Sequence, residues 1–303
     1  MTSHSKNHPQ AGPQKAPFSR RSILKYMASA AAACPTCLSV ASAMASGKEV
    51  ASAAHGAANS AAKAGHGSTN WTYGGDTGPQ HWGDLKAGNK VCSMGFQQSP
   101  IDLRAAIPAS PGTIKVDYKP TKLHVVNNGH TIQCNTDPGS TMMQDGEKFR
   151  LVQFHFHHPS EHAMDGRRFD MECHFVHVND AGMLAVLGVF IEPGGENNVL
   201  APVWRHMPTS TGEKKVNSVH IDPARLLPAN RQYFRYLGSL TTPPCSEKVI
   251  WSVFSQPVRR IIRHERPALA GVASSAAAEE RLIGRARILG QQTELRILLR
   301  KER

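Results

Sequence analysis

Polar and apolar positions alternate in short runs along the middle of this chain. From Gln153 to His157 the order is polar, apolar, polar, apolar, polar, a period of two that predicts a strand. Gln153, His155 and His157 then share one face, and Phe154 and Phe156 share the other. The run Met171–His177 behaves the same way, with Glu172 and His174 on one face and Cys173 and Phe175 opposite. Strand-like runs are visible at Lys122–Val126, Leu151–His157, Met171–Val178, Leu184–Ile191 and Val249–Phe254. The pattern does not carry their pairing order. Near the end, Leu282, Ala286 and Leu289 fall at helical spacing, which predicts a basic, loosely amphipathic helix over Glu279–Arg300.

The first 70 residues have another character. Ser19-Arg20-Arg21-Ser22-Ile23-Leu24-Lys25 carries the paired arginines of a twin-arginine export signal. An Ala-rich apolar run follows from Tyr26 to Val40, then small-residue cleavage sites at Ala41-Ser42-Ala43 and Ala43-Met44-Ala45. The run is too short and too weakly hydrophobic for a stable membrane span. A lipoprotein-like box ending at Cys34 leaves only about eight apolar residues before it, which argues against lipid anchoring. Residues 1–45 therefore read as a signal peptide for the periplasm. Residues 46–70, rich in Ala, Gly, Ser and Asn, read as a flexible linker. Folding is expected from about Trp71.

Composition narrows the function. The chain has 303 residues, 40% hydrophobic and 19% charged, enough for a substantial core. Its net charge of +12 sits at the ends. Residues 1–45 hold five basic groups and no acid, and residues 259–303 hold eleven basic and five acidic groups. The middle has 19 basic and 18 acidic residues, so no nucleic-acid footprint is present there.

Two histidines on one strand and a third on a neighbour can converge on one ion. Three neutral imidazoles suit zinc with a fourth position open, and His155, His157 and His174 have that arrangement. Gln153 and Glu172 stand two residues from their ligands on the same faces, placed to orient the rings. His158, His162 and His177 read as structural histidines. A cupin-type metal site on a jelly roll is a rival, because His-x-His followed by Glu161 fits it too. The cysteines do not decide the matter. Cys34 and Cys37 lie in the signal, and Cys92, Cys134, Cys173 and Cys245 allow three complete pairings.

Downstream residues break the tie. Tyr233-Phe234-Arg235-Tyr236-Leu237-Gly238-Ser239-Leu240-Thr241-Thr242-Pro243-Pro244-Cys245 follows His155-Phe156-His157, Glu161 and Glu172-Cys173-His174. Tyr73-Gly74, Gly78-Pro79-Gln80-His81-Trp82, Gln98-Ser99-Pro100 and Asn127-Asn128-Gly129-His130 precede them. In this order the motifs closely resemble the alpha-class carbonic anhydrases, from about Trp71 to Pro257. The resemblance implies a mainly β fold with short helices, a large, twisted, mostly antiparallel sheet of about ten strands around a central zinc site, and a catalytic domain over residues 71–258. It also implies reversible hydration of carbon dioxide to bicarbonate and a proton by zinc-bound hydroxide. By position, His155, His157 and His174 are the zinc ligands. Thr241 takes a hydrogen bond from the hydroxide, and Glu161 accepts the Thr241 proton. Thr242 contacts substrate or bicarbonate, and Val176, Val186, Leu240, Val249 and Trp251 form the apolar wall that holds carbon dioxide. His130 is the proton shuttle to external buffer, with Tyr73 and Asn128 in its water network. Cys92 and Cys245 match a disulfide of exported members, leaving Cys134 and Cys173 as buried thiols.

Residues 259–303 depart from the family pattern, which normally continues with a helix and an Asn-x-Arg-Pro-x-Gln strand. A catalytically weak, carbonic-anhydrase-like binding protein is therefore the alternative to an enzyme.

Overall fold

The alternating runs become the middle of one sheet. The structure, a computed structural model, describes residues 71–104, 106–109, 112–195, 199–261 and 298–300. The signal and linker readings over 1–70 lie outside them. The strands are β1 (Asp102–Leu103), β2 (Ile107–Ala109), β3 (Lys115–Asp117), β4 (Thr121–Asn127), β5 (Ile132–Asn135), β6 (Thr141–Gln144), β7 (Glu147–His157) and β8 (Ala163–Met164). They continue as β9 (Met171–Val178), β10 (Leu184–Pro193), β11 (Gly212–Ile221), β12 (Tyr233–Ser239), β13 (Glu247–Phe254), β14 (Val258–Ile261) and β15 (Leu298–Arg300). Short helices at Trp82–Leu85, Val91–Met94 and Leu200–His206 complete the described elements with three single 3-10 turns.

Among the described residues, thirteen strands form one sheet in the order β11-β4-β5-β7-β9-β10-β13-β12-β15-β2, with β14, β6 and β3 attached at its sides. Most pairs are antiparallel; β10 runs parallel to β13 and β14, and β15 runs parallel to β2. This is the mainly β, mostly antiparallel fold expected, with more strands than the ten anticipated. All five strand-like runs are strands.

Strand β9 lies between β7 and β10, and all eight of its residues are buried. Such a central strand has no solvent face, so each polar group on it needs a partner. One face of β7 and β9 carries Phe154, Phe156 and Phe175, all fully buried in the main core with Cys134 and Cys173. Each such aromatic contributes about 1.5–3 kcal/mol of burial. The other face carries the histidines. The free thiols among the described residues, Cys134 and Cys173, belong to the core side, where burial raises both their pKa values.

The tail corrects one expectation. Leu298–Arg300, at the end of the helix read from spacing, is a strand between β12 and β2, with Phe234 opposite Leu299 and Leu298 opposite Ile107. Two flanking strands supply backbone partners on both sides, and ladder pairing overrides a weak helical spacing. Residues 279–297 of that reading lie outside the described residues.

Candidate metal centre

Pairing register builds the site. His155 on β7 stands opposite His174 on β9, and His157 stands opposite Glu172. Their pleats put the three imidazoles on one face. Ring centroids are 5.0 Å apart for His155 and His157, 5.3 Å for His155 and His174, and 4.6 Å for His157 and His174. One ligand nitrogen from each lies within 4.8 Å of the others, close enough to share one ion.

The remaining nitrogens decide which atoms face inward. His155 Nδ1 donates to Gln153 Oε1 at 2.9 Å, leaving Nε2 with its lone pair. His174 Nε2 lies 2.9 Å from Glu172 Oε1, leaving Nδ1. His157 Nε2 is buried and has no hydrogen-bond partner among the described residues. Burial, and then the neighbouring His174, hold the His157 pKa well below the usual imidazole range, which keeps it a neutral donor. A buried orphan nitrogen beside two oriented imidazoles is the donor set that zinc takes. The residues fit the metal.

Glu161, buried in the loop after β7, places Oε2 at 3.5 Å from His157 Nε2 and 3.8 Å from His174 Nδ1. Thr241 is buried in the turn after β12. That turn is closed by Cys245 N donating to Thr242 O at 2.9 Å and by Leu240 N donating to Ser246 O at 2.9 Å. The Cys92–Cys245 disulfide ties it to the helix Val91–Met94.

The apolar residues expected to hold carbon dioxide gather on the same side. Val176, Val186, Val249 and Trp251 belong to one buried cluster, and Leu240 packs against it. Val186 pairs with Val176 on one side and with Trp251 on the other, and the Trp251 ring centroid is 4.8 Å from that of His174.

His130 follows a tight turn in which Asn128 Oδ1 accepts from the backbone N–H groups of His130 and Thr131 at 2.9 and 2.8 Å. Gly129 sits there at φ +85°, where a side chain would be strained. Asn128 thus builds the turn. Trp71 stacks on the His130 ring at 3.7 Å between centroids, with Tyr73 at 6.3 Å. Burial lowers the His130 pKa.

Some residues of this region were not read from the sequence. His162, set aside there as structural, donates through Nδ1 to Glu172 Oε1 at 2.8 Å, and its Nε2 meets Tyr236 Oη at 2.6 Å. Tyr236 meets Ser99 Oγ at 2.9 Å, so a buried chain runs from His174 through Glu172, His162 and Tyr236 to Ser99. Burial alone would raise the Glu172 carboxyl, but His162 and His174 outweigh it and hold it well below its usual range. Gln133 stands opposite His155 on β5; its alternation with the apolar Ile132 and Cys134 was the available signal. His177 is structural as read, bound to Tyr118 Oη at 2.7 Å and to Ala185 O at 3.1 Å. His158 Nδ1 donates to Asp170 O at 2.6 Å.

A family model of eukaryotic-type carbonic anhydrases matches residues 77–293, reaching beyond Val258 into the tail. A carbonic anhydrase of Nostoc sp. is 44% identical over 197 residues, covering 63% of this chain and 75% of the relative. One of Neisseria gonorrhoeae is 44% identical over 186 residues, covering 61% and 73%. Among solved structures, an alpha-carbonic anhydrase from Thermovibrio ammonificans in complex with the inhibitor sulfanilamide superposes with a TM-score of 0.66 at 40% identity. That likeness covers 78% of this chain and all of the other. It removes the cupin alternative.

Proposed function

The chain belongs to the eukaryotic-type carbonic anhydrase family and is a carbonic anhydrase, and we propose that it hydrates carbon dioxide with zinc held by His155, His157 and His174. The observation that carries this is the convergence of the three imidazoles, with His155 Nδ1 bonded to Gln153, His174 Nε2 in close charge contact with Glu172, and His157 Nε2 buried without a hydrogen-bond partner among the described residues. Zinc, when bound, supplies a Lewis-acid centre that makes water a nucleophile near neutral pH, the chemistry for which carbonic anhydrases are the standard example.

The protein's own groups do the rest. Carbon dioxide offers few hydrogen bonds, so Val176, Val186, Leu240, Val249 and Trp251 hold it by apolar contact. Glu161 accepts the Thr241 proton, which turns a Thr241 lone pair towards the reaction centre and orients the attacking oxygen. Thr242 contacts bicarbonate as it forms. His130 accepts the released proton and passes it to external buffer, with Tyr73 and Asn128 ordering the intervening water. The disulfide fits an oxidising compartment, which supports export to the periplasm by the twin-arginine signal. No helix among the described residues is long and apolar enough to cross a membrane.

The test is zinc content together with stopped-flow hydration and its block by a sulfonamide. One zinc per chain and sulfonamide-sensitive hydration are expected, with both zinc and hydration lost in His174→Ala. Full zinc and rate in His174→Ala would overturn the ligand assignment.

A further inference from the structure

A cavity of about 470 Å³ opens where several strands end together, and the hydration reaction has no use for it. His158 lines it immediately after β7, Phe169 just before β9, Glu192 near the end of β10, and Arg259 on β14. Arg167 and Arg168 complete its charged wall. With Asp170, that is three guanidinium groups against two carboxylates.

The arginines are arranged rather than merely present. Glu192 and Arg259 are directly opposite in the β10–β14 register. The Glu192 carboxylate, largely buried, binds Arg167 through Oε1 and lies 3.4 Å from Arg259 Nε through Oε2. One carboxylate therefore holds two guanidinium groups side by side. Arg167 is also pinned over the Phe169 ring, 4.8 Å from its centroid. A guanidinium carries five N–H donors, and one shared carboxylate leaves most of those on Arg167 and Arg259 available. Both side chains are well exposed, at 67% and 79%, so the ion pairs add little stability. Two guanidinium forks with restricted motion, in a cavity of net positive charge, match the geometry of a carboxylate-like or phosphate-like oxyanion.

We propose that the Arg167–Glu192–Arg259 cavity is an oxyanion-binding site separate from the histidine centre. Its ligand is a small trigonal or tetrahedral oxyanion, of the bicarbonate or phosphate kind, gripped by the two forks. Exposure and screening make the affinity modest, about 1 mM, and weaker as salt rises. The site begins one residue beyond His157, at the end of the strand that carries two of the three histidines.

The experiment is a titration of the full-length, 15N-labelled protein, once with inorganic phosphate and once with bicarbonate, followed by amide shifts. Saturable shifts at residues 158–159, 167–170, 192–193 and 259 are expected for at least one anion. They should weaken at least tenfold in Arg167→Gln/Arg259→Gln, with the spectrum elsewhere unchanged as a check of folding. The anion that saturates identifies the source, trigonal or tetrahedral. Shifts confined to the surroundings of His155, His157 and His174, shifts that never saturate, or equal binding in the double variant would overturn the proposal. Glu192→Gln is a second variant, predicted to loosen the two arginines and weaken binding without removing either positive charge.

Discussion

Glu172 Oε1 lies 2.9 Å from His174 Nε2. That contact fixes which nitrogen of His174 is left for a metal, and the carboxylate is itself held by the backbone N–H of His162 at 2.9 Å and by the His162 ring. Replacing the charge while keeping the shape, as in Glu172→Gln, should lower zinc affinity by about 10- to 100-fold. Competition with a chelator measures it; an unchanged affinity would mean that the carboxylate does not orient the ligand.

Gly188 stands opposite His174 on β10, and a Cβ there would come within 3.0 Å of Glu172 Oε1 and 3.1 Å of a Val253 methyl. Gly188→Ala is expected to displace the carboxylate. Zinc affinity should fall about tenfold, within the range for disturbed ligand support, with a lower Tm. The comparison with Glu172→Gln separates displacement from loss of charge.

His130 is stacked on Trp71, and burial keeps its pKa below the ordinary value. A shuttle must be neutral to accept a proton. Trp71→Ala exposes the ring and moves its pKa up towards 6.5. More His130 is then protonated just below neutral pH, so the acid limb of the hydration profile in weak buffer should shift upward. His130→Ala should slow turnover mainly in weak buffer, with partial rescue by imidazole. Equal loss at every buffer concentration would count against the shuttle.

His177 is buried, and burial lowers its pKa to about 4 from a model-compound value of 6.5. Between those values the unfolded chain binds a proton that the folded chain does not. Stability is therefore full above about pH 6.5 and falls as pH drops towards 4, by about 3 kcal/mol from this group. Tm measured from pH 7 to 4 should fall less steeply in His177→Gln than in the parent.

The Cys92–Cys245 bond closes a loop of 153 residues. Chain entropy sets its stabilisation at about 5 kcal/mol as an upper figure. Reduction, or Cys245→Ser, should lower the denaturant midpoint. It should also lower hydration activity, because the bond anchors the turn that carries Thr241 and Thr242 to the helix Val91–Met94. Unchanged activity after full reduction would show that the turn holds its shape without the bond.

The strands nearest the site were the most legible. β7 alternates from Gln153 to His157 and β9 from Met171 to Phe175, and alternation reports a face directly. The distant strands were less so. β11 pairs with β4 across a register shift between Val216 and His220, and its side chains are largely exposed, so no apolar stripe marks it. The helix read over Glu279–Arg300 failed at its end because three residues of backbone pairing with β12 and β2 outweigh local spacing.

Periodicity along β7 and β9 determined by itself that His155 and His157 share one face and that Glu172 and His174 share one face, since side-chain direction in a strand is a local property of the backbone. The motif order carried the likeness that gave them roles. Tertiary structure alone decided that His155 stands opposite His174, that His162 and Tyr236 support Glu172, and that Arg167 and Arg259 meet at one carboxylate. Those relationships join residues far apart in the chain, and only the pairing of strands and the closure of the core bring them within bonding distance.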